Sequence, residues 1–330
     1  MDNLVSVIIP CYNGEQYIDN SIRSVYEQDY PFVELIVIND GSSDRSEEKI
    51  LAWKQAFHDK GYQLKYIAQD NQGPGAATNL GLKYVTGKYL TLLDADDRYL
   101  PGAIRHKAQY LDDHPDCAGV RNNGWFVRET GRNLFITDDQ EKSITDLFCA
   151  LSSGSTNNWA GTYMVRTDIL FDFYPDRNIL PSRLGQNFQI LLPVAYGRKF
   201  GYIDLPLMEY NIHPNSHSHA MSVQAQYDLS EKNAQGWRDI YFQILGKLTV
   251  DPQEYQHFAQ MYNEVYYRGC FMRAAYCSRK AELHYNYLHL KKLNRLTLED
   301  RVVYYNTINS PWVLFWKFML KTSSVLSKAR

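Results

Sequence analysis

The feature that most constrains the fold is an alternation of short apolar runs with helical segments over roughly the first hundred residues. Four runs rich in β-branched residues and ended by turn residues are typical of buried strands: 5–10, 33–39, 64–68 and 89–93. After the first run, apolar residues recur at helical spacing over 18–26, and Asp44 with Glu47 resembles a capping box opening a helix that reaches about His58. This βαβαβαβ order predicts an α/β fold with a parallel sheet covered by helices on both faces.

Polar and turn-forming residues follow three of the four predicted strands. They make up the segments 10–14, 39–42 and 94–97, which read PCYNG, NDGS and DADD. Because the carboxyl ends of parallel strands meet at one edge of a sheet, these segments are expected to lie side by side and to form the ligand site.

The segment Asp94-Ala95-Asp96-Asp97 places three carboxylates just past an apolar strand. Such a cluster is costly unless a positive charge compensates it. A Mg²⁺ or Mn²⁺ ion that bridges the carboxylates to a diphosphate would do so. The alternative is an Asp-rich turn that caps a helix starting near Pro101. The position directly after a buried strand favours the metal.

Two further segments of this edge are suited to a nucleotide. The Asp40 carboxylate can accept the imide N–H of uracil, and Gly41 permits a tight turn. A plain turn-and-cap role is the alternative for that segment. The Tyr12 ring can stack on a base, and Glu15 stands at the mouth of the first helix.

Composition excludes several classes of partner. The 35 basic and 37 acidic side chains give a net charge of −2, so no global field would gather nucleic acid, and none is expected as a partner. The five cysteines form no CxxC pair, which argues against a disulfide framework or zinc site and favours a reducing, cytoplasmic compartment. The N-terminus lacks the basic region of a secretion signal, and no apolar stretch approaches the roughly 20 residues that span a bilayer.

Two long runs of the sequence carry a resemblance to a known family. They are 5–46, VSVIIPCYNGEQYIDNSIRSVYEQDYPFVELIVINDGSSDRS, and 70–104, DNQGPGAATNLGLKYVTGKYLTLLDADDRYLPGAI. Both resemble the N-terminal half of glycosyltransferase family 2, which comprises inverting enzymes of the GT-A fold. The resemblance is strong over 4–115 and extends weakly to 218. It implies a GT-A, Rossmann-like fold with a mixed, mainly parallel sheet flanked by helices, followed here by a C-terminal helical extension.

The resemblance implies a role for each part of the polar edge. Asp94-Ala95-Asp96 corresponds to the DxD motif of the family, in which Asp96 reaches a Mn²⁺ or Mg²⁺ ion and Asp94 reaches the ribose or the metal shell. His213, in a tyrosine-rich segment from 209 to 218, is implied as a further metal ligand near the diphosphate, with a structural role as the alternative. The residues implied to hold the nucleotide, beneath a loop 71–79 that closes over it, are Pro10, Tyr12, Glu15, Asp40, Gly73, Asn79, Asp94 and Asp96.

The position of the usual catalytic base departs from the family pattern. Members carry a Glu-Asp pair at the start of the helix in the acceptor half, where this chain has Gln186 and Asn187. Neither amide accepts a proton usefully, whereas a tuned carboxylate contributes about 10²–10⁴-fold. Three alternatives stay open. In the first, Asp172 or Asp176 replaces the base, and Gln186 and Asn187 bind acceptor hydroxyls. In the second, the family's Glu-Asp pair lies elsewhere in the chain. In the third, the protein has lost turnover.

The function predicted from these features is inverting, metal-dependent sugar transfer from a nucleotide diphosphate-sugar, with UDP-sugar favoured because Asp40 suits uracil. The resemblance implies a saccharide or lipid-linked acceptor, in polysaccharide or glycan biosynthesis. The alternative is a non-catalytic module that binds nucleotide-sugars or glycans, because of Gln186 and Asn187. A nucleotidyltransferase would normally open with a Gly-rich basic loop, which this chain lacks.

The predicted organisation is one large domain with a helical extension. After 219 the proline content falls and helical periodicity continues. Residues 311–330 combine the apolar stretch PWVLFWKFML with basic residues, so they can contact the inner face of the membrane peripherally or pack as a terminal helix on protein. The predicted domains are a GT-A domain at 1–219, with a nucleotide-binding half at 1–115 and an acceptor-side half at 116–219, and a mainly helical region at 220–330.

Overall fold

The computed structural model describes residues 3–157, 159–180, 182–212 and 222–309. The chain divides into two compact units, one made of 1–151 with 155–213 and the other of 152–154 with 214–330. The predicted boundary after 219 falls within 213–221, outside the described residues, and it stays a prediction.

The first unit is built on a mixed sheet with the strand order β3-β2-β1-β4-β8-β6-β9-β5, in which β7 pairs with β6. The first four strands are all parallel to one another, β8 is antiparallel to β4 and β6, and β9 is parallel to β6. The strands described are β1 Val5–Cys11, β2 Val33–Asp40, β3 Gln63–Gln69, β4 Tyr89–Leu92, β5 Arg98–Tyr99, β6 Cys117–Arg128, β7 Gly131–Leu134, β8 Tyr163–Arg166 and β9 Lys199–Asn211. The four strands predicted from the apolar runs are confirmed.

Helices flank this sheet and connect its strands. Those described in the first unit are α1 Ile18–Tyr26, α2 Ser46–Ala52, α3 Lys54–Asp59, α4 Pro74–Leu82, α5 Ala103–Asp113, α6 Asp139–Lys142, α7 Leu147–Ser152, α8 Thr167–Phe173 and α9 Gln186–Ala195. Strand β2 is buried along its whole length, because helices and neighbouring strands cover both of its faces. This accounts for its continuous apolar run rather than an alternating one.

One local prediction is confirmed only in part. The helix predicted from Asp44 to His58 is divided at Trp53, whose indole N–H donates to Asp19 of α1 over 3.2 Å. No capping box forms, because one Asp44 oxygen accepts from Ser46 N at 3.0 Å while Glu47 stays exposed.

The second unit is helical in its described part. Helix α10 begins after Ser222, whose hydroxyl accepts from Ala225 N, and α11 begins after Asp251, whose carboxylate caps two backbone N–H groups. Its helices are α10 Val223–Lys247, α11 Pro252–Tyr276, α12 Lys280–Lys292 and α13 Leu298–Asn309. No helix among the described ranges has the length and apolar character required to cross a bilayer.

Candidate active site

The loops after β1 and β2 are joined side by side at the carboxyl edge of the sheet. Asn13 Oδ1 accepts from Ser43 N at 2.9 Å, and Glu15 N donates to Asp44 Oδ2 at 3.0 Å. The Glu15 carboxylate in turn accepts from Arg45 N at 2.9 Å. Asp44 and Glu15 therefore fix the relative position of the two loops. The sequence did not indicate this role for either carboxylate.

The side chains that follow β1 are open to solvent. The Tyr12 ring is 48% exposed and Pro10 is partly exposed. An exposed aromatic ring on a loop held this firmly presents a stacking surface of low conformational cost. The geometry is compatible with the predicted contact between Tyr12 and a base.

Asp40 anchors the neighbouring loop. It is 2% exposed, and its carboxylate accepts hydrogen bonds from Gln69 Nε2 at 2.6 Å, Gln72 N at 2.9 Å and Gly73 N at 2.7 Å. A carboxylate offers about four lone-pair sites, so most of its capacity is already used. Asp40 thus holds the loop 70–73 in place, whereas 74–79, which were predicted to continue this loop over the nucleotide, begin α4. Its predicted contact with uracil stays a prediction.

This loop and the first turn of α4 lie against the segment that precedes α9. A Cβ atom at Gly75 would stand 1.9 Å from Ser182 O, and one at Gly73 would stand 2.7 Å from Arg183 Cγ. The Arg183 guanidinium donates to Asn71 Oδ1 at 3.1 Å. Glycine is required at Gly75 because the two backbones approach so closely.

Asn79, also predicted to hold the nucleotide, is engaged within the protein. Its Oδ1 accepts from Ile179 N at 2.8 Å. In this arrangement Asn79 docks the segment before α9 onto α4. A direct role for Asn79 with a nucleotide stays a prediction.

The three carboxylates after β4 form a tight turn. Asp97 is 1% exposed, whereas Asp94 and Asp96 are partly exposed. Ser21 Oγ donates to Asp94 O at 3.0 Å and to Asp97 O at 2.5 Å. From β9, Asn211 N donates to Asp97 Oδ1 at 2.9 Å, and its side-chain amide donates to Asp96 O at 2.6 Å. Sequence analysis missed both partners, although Asn211 lies in the tyrosine-rich segment.

The electrostatics of this turn favour a cation. Burial, followed by the charge of Asp96, raises the pKa of Asp94. Burial and the charges of both neighbours raise the pKa of Asp97 well above its ordinary value. The buried Asp97 Oδ2 has no hydrogen-bond partner among the described residues. Burial and the three carboxylates also raise the pKa of Tyr210 to about 12.

The carboxylates of this turn suit a divalent ion for which the protein supplies only some of the ligands. Within the described ranges, no three histidine, cysteine or acidic side chains gather as a metal site. Mg²⁺ is commonly bound through one or two carboxylates, with substrate phosphates and waters completing its shell. Asp94 and Asp96 match that pattern. His213, the predicted third ligand, lies outside the described residues.

The position of the predicted base is occupied by two amides at the start of α9. Asn187 Oδ1 accepts from the hydroxyl of the buried Tyr163 at 2.8 Å, and Gln186 is partly exposed. Asp172 and Asp176 are both exposed, and Asp176 accepts from Asn178 on its own loop at 3.2 Å. Tyr163 therefore orients Asn187. The identity of a base stays open.

Sequence comparisons relate the chain to a known family. The family model described as glycosyl transferase family 2 matches residues 6–170. The chain is similar to an uncharacterized glycosyltransferase of Rickettsia conorii, with 35% identity over 150 residues, 45% of this chain and 24% of that relative. It is also similar to one of Nostoc sp., with 26% identity over 229 residues, 68% of this chain and 70% of that relative. The chain thus covers only about a quarter of the Rickettsia protein.

Two solved structures share the fold. S. aureus TarS 1–349 in complex with UDP-GlcNAc matches with a TM-score of 0.57 at 20% identity, covering 92% of this chain and 91% of that chain. The mannosyltransferase PcManGT from Pyrobaculum calidifontis, in complex with GDP-Man and Mn²⁺, matches with a TM-score of 0.56 at 14% identity, covering 96% and 84%. The predicted GT-A fold, with its mixed sheet and C-terminal helices, is confirmed.

Proposed function

Because this chain belongs to glycosyl transferase family 2, we propose that it is an inverting glycosyltransferase that takes a sugar from a nucleotide diphosphate-sugar. A UDP-sugar is the favoured donor. The proposed acceptor is a hydroxyl of a saccharide or lipid-linked molecule, in polysaccharide or glycan biosynthesis. The observation that carries the proposal is the crowded carboxylate turn Asp94–Asp97 beside the loops after β1 and β2.

The structural neighbours support the donor class and the cofactor. TarS has been solved with UDP-GlcNAc and with UDP, and PcManGT with GDP-Man and Mn²⁺. In this chain the proposed ligands for Mn²⁺ or Mg²⁺ are Asp96 and Asp94, with His213 as a third. The ion would stabilise the negative charge that develops on the departing diphosphate.

The chain's own residues would bind and orient the donor. Tyr12 and Pro10 offer the exposed surface on which a base can stack. Glu15 and Asp40 hold the two flanking loops in place, with Asp40 also retained as the proposed uracil contact. Ser21 and Asn211 fix the acidic turn, so that its carboxylates need not reorganise when the donor binds.

The acceptor hydroxyl would attack the anomeric carbon from the face opposite the diphosphate, and the configuration would invert. We assign Gln186 and Asn187 to acceptor hydroxyls, with Asn187 oriented by Tyr163. The proton would pass to a carboxylate that replaces the family's usual base. Asp172 and Asp176 remain the candidates.

The alternative proposal is a non-catalytic module that binds nucleotide-sugars. It is motivated by Gln186 and Asn187, since neither amide serves as a base at neutral pH. Turnover of the donor separates the two proposals.

The test is release of nucleoside diphosphate from UDP-, GDP- and dTDP-sugars with Mn²⁺. We expect release from one donor class, reduced at least about 10²-fold in Asp96→Asn.

Asp40→Ala should weaken nucleotide binding even without metal, because the loop it anchors is lost. Asp228→Asn, an exposed carboxylate of α10, is the matched control. Binding without release from any donor would favour the binding module, and unchanged affinity in both site variants would reject the site.

A further inference from the structure

Four aromatic side chains form a cluster on the acceptor side of the sheet. Phe126 lies 4.5 Å from Phe135, 4.9 Å from Trp159 and 5.8 Å from Tyr210, measured between ring centroids. All four residues are partly exposed. Their planes meet at 47° to 82° in the contacts that join them, so no two rings are stacked face to face. We call this cluster the aromatic platform.

The platform is built on rigid structure. Phe135 and Tyr210 pack against the main core of the first unit. A Cβ atom at Gly124 would stand 2.3 Å from the Phe135 ring. The ring can therefore pack against β6 because residue 124 has no side chain. Partly exposed rings held in this way can bind a ligand without losing much side-chain entropy.

The platform adjoins the acidic turn. Tyr210 immediately precedes Asn211, whose backbone N–H binds Asp97 at 2.9 Å. The turn after Trp159 is fixed by a 2.6 Å hydrogen bond from Gly161 N to Leu92 O, at the end of the strand that leads into Asp94.

The order of strands puts the platform on the side of the acidic turn away from the nucleotide loops. Those loops follow β1 and β2, the acidic turn follows β4, and the platform rings come from β6, β9 and the segments that adjoin β7 and β8. A donor bound over β1 and β2 would therefore present its sugar at β4. A second substrate would approach from the side of β6 and β9.

We propose that the aromatic platform is the subsite that binds a pyranose ring of the acceptor saccharide, which rests on the proposed transferase function. The apolar C–H face of a pyranose covers an aromatic ring, while its hydroxyl groups stay free to reach polar groups at the margin. The Arg128 guanidinium, 5.6 Å from the Phe126 centroid, is one such donor. The platform thus selects a sugar-bearing acceptor over a small alcohol or a protein side chain.

The test is saturation-transfer NMR with methyl glucoside, galactoside, mannoside and N-acetylglucosaminide in the presence of UDP and Mn²⁺. We expect saturation of the ring protons of at least one pyranoside by the native protein. Trp159→Ala should weaken that binding about tenfold, as loss of one aromatic stacking contact predicts. Phe126→Leu, which keeps an apolar side chain of similar size, provides a second variant should Trp159→Ala fail to fold.

Trp125→Ala is the matched control. Trp125 is adjacent on β6, so its side chain leaves the opposite face of the sheet, where Arg132 lies 4.5 Å from its ring. We expect its saturation signals to equal those of the native protein. Absence of saturation with native protein, or equal saturation in Trp159→Ala and Phe126→Leu, would overturn the proposal. Donor release by the native protein, measured in parallel, separates this failure from that of the transferase function itself.

Discussion

The Asp97 carboxylate is buried and lies beside the carboxylates of Asp94 and Asp96. Because its folded pKa lies well above its ordinary value of 3.8, Asp97 keeps its proton in the folded chain at pH values where the unfolded chain has released it, and its contribution to stability falls as the pH rises through that interval. Asp97→Asn keeps an oxygen for Asn211 N and removes the titratable group. We expect the metal-free variant to be more stable at pH 7 by on the order of 1–2 kcal/mol, with a smaller gain near pH 4.

Thermal unfolding with and without Mn²⁺ measures this effect. The ion should raise the Tm of the native protein more than that of Asp97→Asn, because a nearby cation favours the ionised form of Asp97 and the variant lacks that carboxylate. A lower Tm of the metal-free variant at pH 7 would show that repulsion among the three carboxylates costs less stability than the native Asp97 side chain contributes through its contacts.

Glu34 is a buried carboxylate with the opposite behaviour. Burial alone would raise its pKa, but hydrogen bonds from Lys65, Ser6 and Thr86 together hold the pKa of Glu34 below its ordinary value. Lys65 Nζ lies 2.6 Å from the carboxylate, and Thr86 N lies 2.7 Å from it. Its stabilising contribution is therefore complete above the unfolded pKa near 4.5 and is lost as the pH falls through the lower folded pKa.

We expect Glu34→Gln to lower the free energy of unfolding by about 2 kcal/mol at pH 7, since it removes the charge that pairs with Lys65 and places an amide donor where Ser6 and Thr86 donate. Urea unfolding at pH 7 and at about pH 3.5 provides the measurement, and the difference from native protein should shrink at the lower pH. A difference of equal size at both values would contradict the assigned role of the charge.

Among the secondary-structure elements, the proposed donor site is bordered by the contact between α4 and the segment before α9. Gly75 is the point of closest approach, with Ser182 O only 1.9 Å from where a Cβ atom would stand. Gly75→Ala should push Arg183 away from Asn71 and open the loop that Asp40 anchors. We expect UDP affinity, measured by calorimetry, to fall about tenfold, which corresponds to about 1.4 kcal/mol.

The control for this prediction is Gly246→Ala in α10. A Cβ atom there would meet no atom within 4 Å, so the change should leave UDP affinity intact and raise helix stability by about 0.5–1 kcal/mol. Unaltered UDP binding by Gly75→Ala would show that the loop and the segment before α9 can separate without consequence for the donor.

At the scale of the whole molecule, we propose a cytoplasmic protein that meets the inner face of the membrane through 311–330, which lie outside the described residues. An apolar stretch with basic residues binds anionic bilayers through both burial and charge. We expect the full chain to co-sediment with vesicles containing phosphatidylglycerol and a chain ending at Ser310 to remain in the supernatant. Vesicles of phosphatidylcholine alone control for charge, and sedimentation of the shortened chain would refute the assignment.

Much of the first unit could be predicted because its signals are local. The apolar runs from Val5 and Val33 predict buried strands, since burial on both faces favours apolar residues at successive positions. Helix α9 was placed correctly at Gln186. The helix predicted over 44–58 is present but divided at Trp53, whose indole binds Asp19, 34 positions away. Periodicity carries no information about such a partner.

Local sequence patterns predicted the order of the first four strands and their connecting helices, the position of polar segments at one edge, and the family. The contacts of each polar residue could be seen only in the fold. Asp40 anchors Gly73, 33 positions on, and Asp97 binds Asn211, 114 positions on. The aromatic platform likewise joins rings from 126 to 210. The physical reason is that periodicity and turn chemistry act over a few residues, whereas hydrogen-bond partners and ring contacts are selected when distant strands pack together.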